Sequence, residues 1–162
     1  MATFSSDKIT SGVIKMLPLG YKQSILASCS VPTTQATNDI CNMVRLEANP
    51  SGYENNKAGG PTITAVEVGT DDLDSGSLIV LDVGDAASAT RFISGTTIAR
   101  TGGNFKGTLA PCMGYQPFAS PYFATYTTVS LATYLMQIKI NASAATAVAG
   151  NLRLLVDFDI DP

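Results

Sequence analysis

Ten residues near the C-terminal end constrain the fold most. In Leu152-Arg153-Leu154-Leu155-Val156-Asp157-Phe158-Asp159-Ile160-Asp161 the even positions are all apolar and the odd ones mostly charged. A period of two belongs to a strand. It puts Leu152, Leu154, Val156, Phe158 and Ile160 on one buried sheet face and Arg153, Asp157 and Asp159 in water. Tyr134, Met136, Ile138 and Ile140 alternate in the same way with Leu135, Gln137, Lys139 and Asn141. The Ala-, Ser- and Thr-rich stretch 142–150 reads as the connection of these two strands into an antiparallel pair.

Further strand-length units recur upstream. Residues 40–47 form one, closed by Asn49-Pro50-Ser51-Gly52; 62–68 form another, and the nearly continuous apolar run 77–83 a third. Turn chemistry throughout Thr70-Asp71-Asp72-Leu73-Asp74-Ser75-Gly76 joins the last two as a hairpin. Residues 24–31, 96–100 and 122–131 are weaker strand candidates, and Gly102-Gly103-Asn104-Phe105-Lys106-Gly107 reads as a hairpin turn. Helical signal is confined to residues 85–93, where Asp85 stands as N-cap before an Ala-rich run. Fourteen Gly and eight Pro punctuate the rest, which argues for a sandwich or a barrel. The first 24 residues are irregular, an extended arm or an edge segment. A free terminus frays unless held, so residues 1–7 need either their own sheet or a neighbouring subunit.

Composition narrows the chemistry. With 162 residues the chain has the size of one domain, and only 14% of it is charged, against a typical ~25%. Ten Lys and Arg against thirteen Asp and Glu give a net charge of −3, too few scattered cations for a nucleic-acid-binding patch. There is no His, which removes the commonest general base and metal ligand and, with it, Ser-His-Asp and Cys-His catalysis. Cys29, Cys41 and Cys112 are too few for a four-thiolate zinc site; they read as reduced, mostly buried small residues, with one disulfide plus a spare thiol as the alternative. The opening Met1-Ala2-Thr3-Phe4-Ser5-Ser6-Asp7-Lys8 lacks the pattern of a signal peptide, and no stretch approaches the apolar length of a membrane span. The expectation is a chain made in a reducing cytoplasm, with no cofactor and no membrane partner. On that reading the sequon Asn141-Ala142-Ser143 is a chance match.

Two acidic motifs bear on function. Leu73-Asp74-Ser75-Gly76-Ser77 matches the Asp-Thr/Ser-Gly signature of aspartic proteases, in which two facing aspartates share a proton. A later Ala147-Val148-Ala149-Gly150 mimics the element that supports such a loop. Thr70-Asp71-Asp72 stands where an apolar strand belongs, however, and the extra carboxylates would disturb the dyad's pKa splitting, so an acidic turn is the simpler reading. Asp71, Asp72, Asp74, Asp82 and Asp85 together raise calcium, but the EF-hand register fails at Ser77 and Val83. They are expected to be solvated turn carboxylates. The aromatics say more: Tyr115, Phe118, Tyr122 and Phe123 fall in a rigid stretch among Pro111, Pro117 and Pro121. They roof one end of the core or anchor a contact with another subunit, with a carbohydrate platform as a third reading that the absence of Trp weakens.

Leu78-Ile79-Val80-Leu81-Asp82-Val83-Gly84-Asp85, followed by Arg91-Phe92-Ile93-Ser94-Gly95 and Gly102-Gly103, resembles structural proteins of tailed bacteriophages, as does the closing 150–157. The likeness covers about the C-terminal two-thirds, and the group is that of capsid decoration, cement or auxiliary head, proteins. Strand pattern and resemblance together give the expected fold: an all-β, antiparallel, jelly-roll-like β-sandwich over residues 25–162, with the irregular N-terminal arm (1–24) and at most one short helix. The resemblance also implies a non-catalytic virion protein on the capsid exterior, a homotrimer whose partner is the major capsid protein. Within that reading Phe4, Ile9, Val13 and Ile14 are candidates for the capsid contact. Tyr115, Phe118, Tyr122 and Phe123 are candidates for the subunit interface. A tail or fibre module binding host glycans and a dimeric protease using Asp74 are the rival functions.

Overall fold

A computed structural model describes residues 1–11, 22–47, 61–107 and 133–160. The strands are β1 (Thr3–Ser5), β2 (Lys22–Val31), β3 (Ile40–Glu47), β4 (Pro61–Thr70), β5 (Val80–Asp85), β6 (Ile93–Thr96), β7 (Gly103–Lys106), β8 (Thr133–Ala142) and β9 (Gly150–Ile160). A four-residue helix, α1 (Asp7–Thr10), and a single 3-10 turn, Ile98–Arg100, complete them.

The strands make two sheets, one in the order β2-β9-β4-β7 and the other β1-β3-β8-β5-β6. Leaving β1 aside, the chain changes sheet at every step from β2 to β9 except between β5 and β6. Each sheet therefore interleaves early and late strands, which is the jelly-roll winding of a sandwich. Alternation does the rest. Ile25, Ala27, Cys29 and Val31 of β2, Leu152, Leu154, Val156 and Phe158 of β9, and Met136, Ile138 and Ile140 of β8 all turn into one shared core. That is the inner face expected for 134–140 and 152–158.

Pairing differs from the local reading in two places. β8 and β9 are not an antiparallel pair: β8 lies between β3 and β5, while β9 lies between β2 and β4 in the opposite sheet. The same holds for β4 and β5, so 71–79 crosses the core edge and is no hairpin. A half-buried strand records which face is apolar, and the facing sheet satisfies that as well as a hairpin would.

Three segments also change class. Residues 96–100 are the end of β6 plus the 3-10 turn, and 103–106 form edge strand β7 on β4 where a turn was expected. The helix expected at 85–93 does not form. Asp85 does accept the N–H groups of Ala87 and Ser88 through Oδ1, at 2.8 and 2.7 Å, as an N-cap would. Its other oxygen takes the Arg91 guanidinium and the Tyr134 hydroxyl, and Phe92 N–H returns to Val83 at 2.9 Å. The segment thus folds back onto its own sheet and buries Phe92. Residues 122–131 lie outside the described ones.

Candidate contact surfaces

The N-terminal segment is docked by its backbone. β1 runs parallel to β3 with Phe4 opposite Cys41, Ile40 N–H donates to Ala2 O at 3.0 Å, and Ser6 N–H donates to Asn42 O at 2.9 Å. Asp39, buried, receives Ala2 N–H on one oxygen and Ala36 N–H on the other. Ser6 then caps α1 by accepting Ile9 N–H. Asp7 Oδ1 in turn accepts Ser28 N–H of β2 at 2.8 Å. Sequence reading missed Asp39 and Asp7 as anchors, because their role depends on strands far away in the chain.

The four candidates for capsid contact are divided by this arrangement. Phe4 is half-buried against the core, and Ile9 sits half-buried on α1. Val13 and Ile14 lie outside the described residues, as do Tyr115, Phe118, Tyr122 and Phe123. Phe4→Ala removes a partly buried ring from the β1–β3 edge and is expected to cost about 1–2 kcal/mol, read as a lower urea midpoint with an unchanged m-value.

One end of the sandwich is built from three cross-braced loops. Gln35 Nε2 donates to Leu73 O and Val148 O, at 3.1 and 3.2 Å, tying the β2–β3 loop to the β4–β5 and β8–β9 loops. Asp74 is the centre of the second loop. Its Oδ1 accepts Gly76 N–H and Thr146 N–H, at 2.9 and 3.0 Å, and its Oδ2 accepts Leu78 N–H and Ile79 N–H, at 2.7 and 2.9 Å. Desolvation works against its charge, but the four N–H groups prevail and hold the carboxyl far below the usual carboxylate range. Such a group stays ionised and has both oxygens occupied. The Asp-Ser-Gly tripeptide therefore organises a loop here, and Asp74 has no lone pair left over for a shared catalytic proton.

Of the other acidic residues expected to be solvated, Asp72 is exposed and Asp71 half-buried, and the remaining two are withdrawn from water. Asp82 and Asp85 are buried, and Asp82 Oδ1 accepts Gly95 N–H at 2.8 Å. Burial opposes ionisation of Asp85, yet its bonds from Arg91, Tyr134 and Ser88 leave the pKa lowered. Asp71 is held down by Arg153, at 2.8 Å, and by Asn151. Asp72 Oδ1 accepts Asp74 N–H at 3.1 Å. Among the described residues no three Cys, Asp or Glu side chains gather in a way that could hold a metal ion.

Several of the exposed side chains are apolar or small. Leu78 and Val148 stand out from the loop end at 60% and 38% exposure, beside exposed Ser75, Ser77, Ala145 and Thr146. On the outer face of the four-stranded sheet, Leu26 of β2, 55% exposed, pairs with Leu155 of β9, with Ser24 and Ser28 flanking it. On the other sheet Ile40, Gln137 and Lys139 line an open cleft of about 470 Å³, with Ala86 and Ala89 as one wall. The Ser, Ala, Thr and Val side chains among these lose little entropy when covered.

No protein-family model matches the chain, and no curated protein does. Solved structures do. A chain in the "Capsid of Ralstonia phage GP4" superposes with a TM-score of 0.70 at 18% identity, covering 99% of this chain and 99% of that one. A chain in the "Cyanophage Pam1 capsid asymmetric unit" gives a TM-score of 0.61 at 21% identity, covering 92% of this chain and 94% of that one. At these identities the likeness is one of fold: this jelly roll, end to end, is a fold found in two phage capsids.

Proposed function

We propose that this chain is a structural virion protein, without catalytic activity, that decorates the exterior of a tailed-phage capsid and stabilises it by bridging neighbouring major capsid subunits. The observation that carries the reading is the end-to-end match, 99% of both chains, to a polypeptide of a phage capsid. A chain of the same winding, matched along 99% of its length, is a component of that capsid. The cross-braced loops and short-chained surfaces described above suit contact by shape. Binding to an assembled shell and not to its free subunits would stabilise the shell by mass action.

In this proposal Phe4 anchors the N-terminal arm on β3, and Ile9, Val13 and Ile14 reach the capsid. Tyr115, Phe118, Tyr122 and Phe123 join copies into a homotrimer. The chain is made in the host cytoplasm and ends on the virion exterior. Mixing it with capsids assembled without it is expected to give saturable co-sedimentation, a regular lattice of added density in electron-microscopy maps, and a shell that withstands more heat. Substituting Ile9, Val13 and Ile14 together by Asp is expected to weaken binding at least tenfold while the chain's own Tm is unchanged. Unaltered binding would reject the arm as the contact. Binding to glycans with none to capsids would select the tail-fibre reading.

A further inference from the structure

Three of the four sheet edges are blunted by short strands: β1 has three residues, and β6 and β7 have four each. The fourth edge, β2, is different. It has ten residues, pairs with β9 along its whole length without a bulge, contains no proline and carries one charge, Lys22, at its start. A long regular edge of that kind is a template for another strand unless something covers it.

Ser28 fixes the direction of the free groups. Its N–H leaves the sheet on the side away from β9 and donates to Asp7 Oδ1 at 2.8 Å. N–H groups alternate sides along an antiparallel strand, so those of Ser24, Leu26 and Ser30 point the same way as that of Ser28. Among the described residues Asp7 is the one acceptor that meets this row. Leu26, 55% exposed, stands in the middle of it, with Leu155 as its cross-strand neighbour.

We propose that the β2 edge is an interface for a second copy of this chain, the two β2 strands antiparallel about a two-fold axis at Leu26, and that Asp7 guards this edge while α1 is seated. A two-fold contact needs a surface that complements itself. In this register Leu26 faces Leu26 of the second copy, Ser24 faces Ser28, and Lys22 faces Ser30, so no like charges meet. The outward N–H groups of Ser24, Leu26 and Ser28 meet the carbonyls of Ser28, Leu26 and Ser24 across the axis. The two Leu26–Leu155 pairs join into a strip of four leucines on the outer face. An axis at Ser24 or Ser28 would instead set the exposed leucine against Lys22 or Ser30. The helix that stands in the way is lightly held, for α1 buries none of its residues. An arm that leaves to engage a capsid also uncovers the edge, so copies join where the arm is engaged. That coupling rests on the function proposed above; the pairing of the edges does not.

The test uses the full chain without capsids. Asp7→Ala is expected to associate in a two-fold step, with a dissociation constant roughly tenfold or more below the parent's in sedimentation equilibrium. As its concentration rises, the N–H groups of Ser24, Leu26, Ser28 and Ser30 are expected to become protected from hydrogen exchange. Leu26→Lys or Leu26→Glu, each added to Asp7→Ala, puts like charges across the axis and is expected to return the mass to the parent's. Mixing these two forms is expected to restore association. Leu26 is exposed, so neither change is expected to alter the Tm of the single chain. A mass for Asp7→Ala equal to the parent's at every concentration would overturn the proposal, as would association that leaves these four N–H groups unprotected. Lys and Glu forms that stay apart on mixing would overturn the register. None of these outcomes bears on capsid binding, which is rejected separately if a chain that pairs through β2 fails to co-sediment with shells.

Discussion

Gly84→Ala is expected to destabilise the protein by about 3 kcal/mol, the upper end of what overpacking costs. A Cβ placed on Gly84 would meet Ser88 O at 2.0 Å and the Ala89 carbonyl carbon at 2.6 Å. These are backbone atoms, which cannot rotate aside as a flexible side chain would. They belong to the 86–92 segment, which lies on the outer face of β5. To admit one methyl the segment must rise, and several bonds go with it. Asp85 N–H donates to Ser88 O at 3.0 Å, and Asp85 Oδ1 accepts Ala87 and Ser88 N–H from the same turn. Phe92, 1% exposed, is seated by the last residues of that segment. Urea unfolding followed by far-ultraviolet circular dichroism checks the size of the loss. Gly95→Ala is the control: its added Cβ meets nothing within 4 Å, although the residue has a φ of 68°. It is expected to cost only the ~1 kcal/mol of a left-handed alanine. Equal losses at both positions would mean that the 86–92 segment is not packed on the sheet.

The same segment shows how far the chain could be read unaided. Leu152 to Phe158 and Met136 to Ile140 announced their buried faces, because alternation is a local property and the core is large enough to enforce it. Their partners were not announced. Nothing in residues 142–150 distinguishes a hairpin from a crossing between sheets, since both ask only for small and turn-forming residues. Asp85 was legible as a donor-seeking carboxylate and misleading as a helix start, because Arg91 and Tyr134 outbid a helix for it. Only the winding brings Tyr134 of β8 beside Asp85 of β5. Gly103–Lys106 has the composition of a turn and becomes a strand because β4 offers an unpaired edge to it. The contact surfaces were least legible. Leu26 and Leu155 lie 129 positions apart, and although alternation turns Leu155 outward, nothing in either strand says that the two leucines are partners.

Asp74→Ala is expected to lower Tm by roughly 10 °C, and the acid side of the stability curve supplies the control. Four N–H groups from two loops converge on this one carboxylate, so removing it strands donors in the β4–β5 and β8–β9 loops together. Asn is no rescue. Each oxygen takes two donors, and an amide presents an N–H₂ where one oxygen stood, aimed at N–H groups. Protonation attacks the same point from the other side. Asp71, Asp74 and Asp85 all have native pKa values below the ordinary carboxylate value. A depressed pKa contributes stability that is fully present above the unfolded value, about 3.9. As pH falls through that value the unfolded chain takes up protons before the native one does, and the contribution drains away toward the native pKa. The wild-type Tm is therefore expected to be flat from pH 8 to about pH 5 and to fall steeply below pH 4. In Asp74→Asn the plateau starts lower and the acid slope is shallower, because the group that titrates most strongly is gone. A parallel slope in the variant would mean that the four N–H bonds do not hold the Asp74 charge in solution, and the loop end would lose its organising centre.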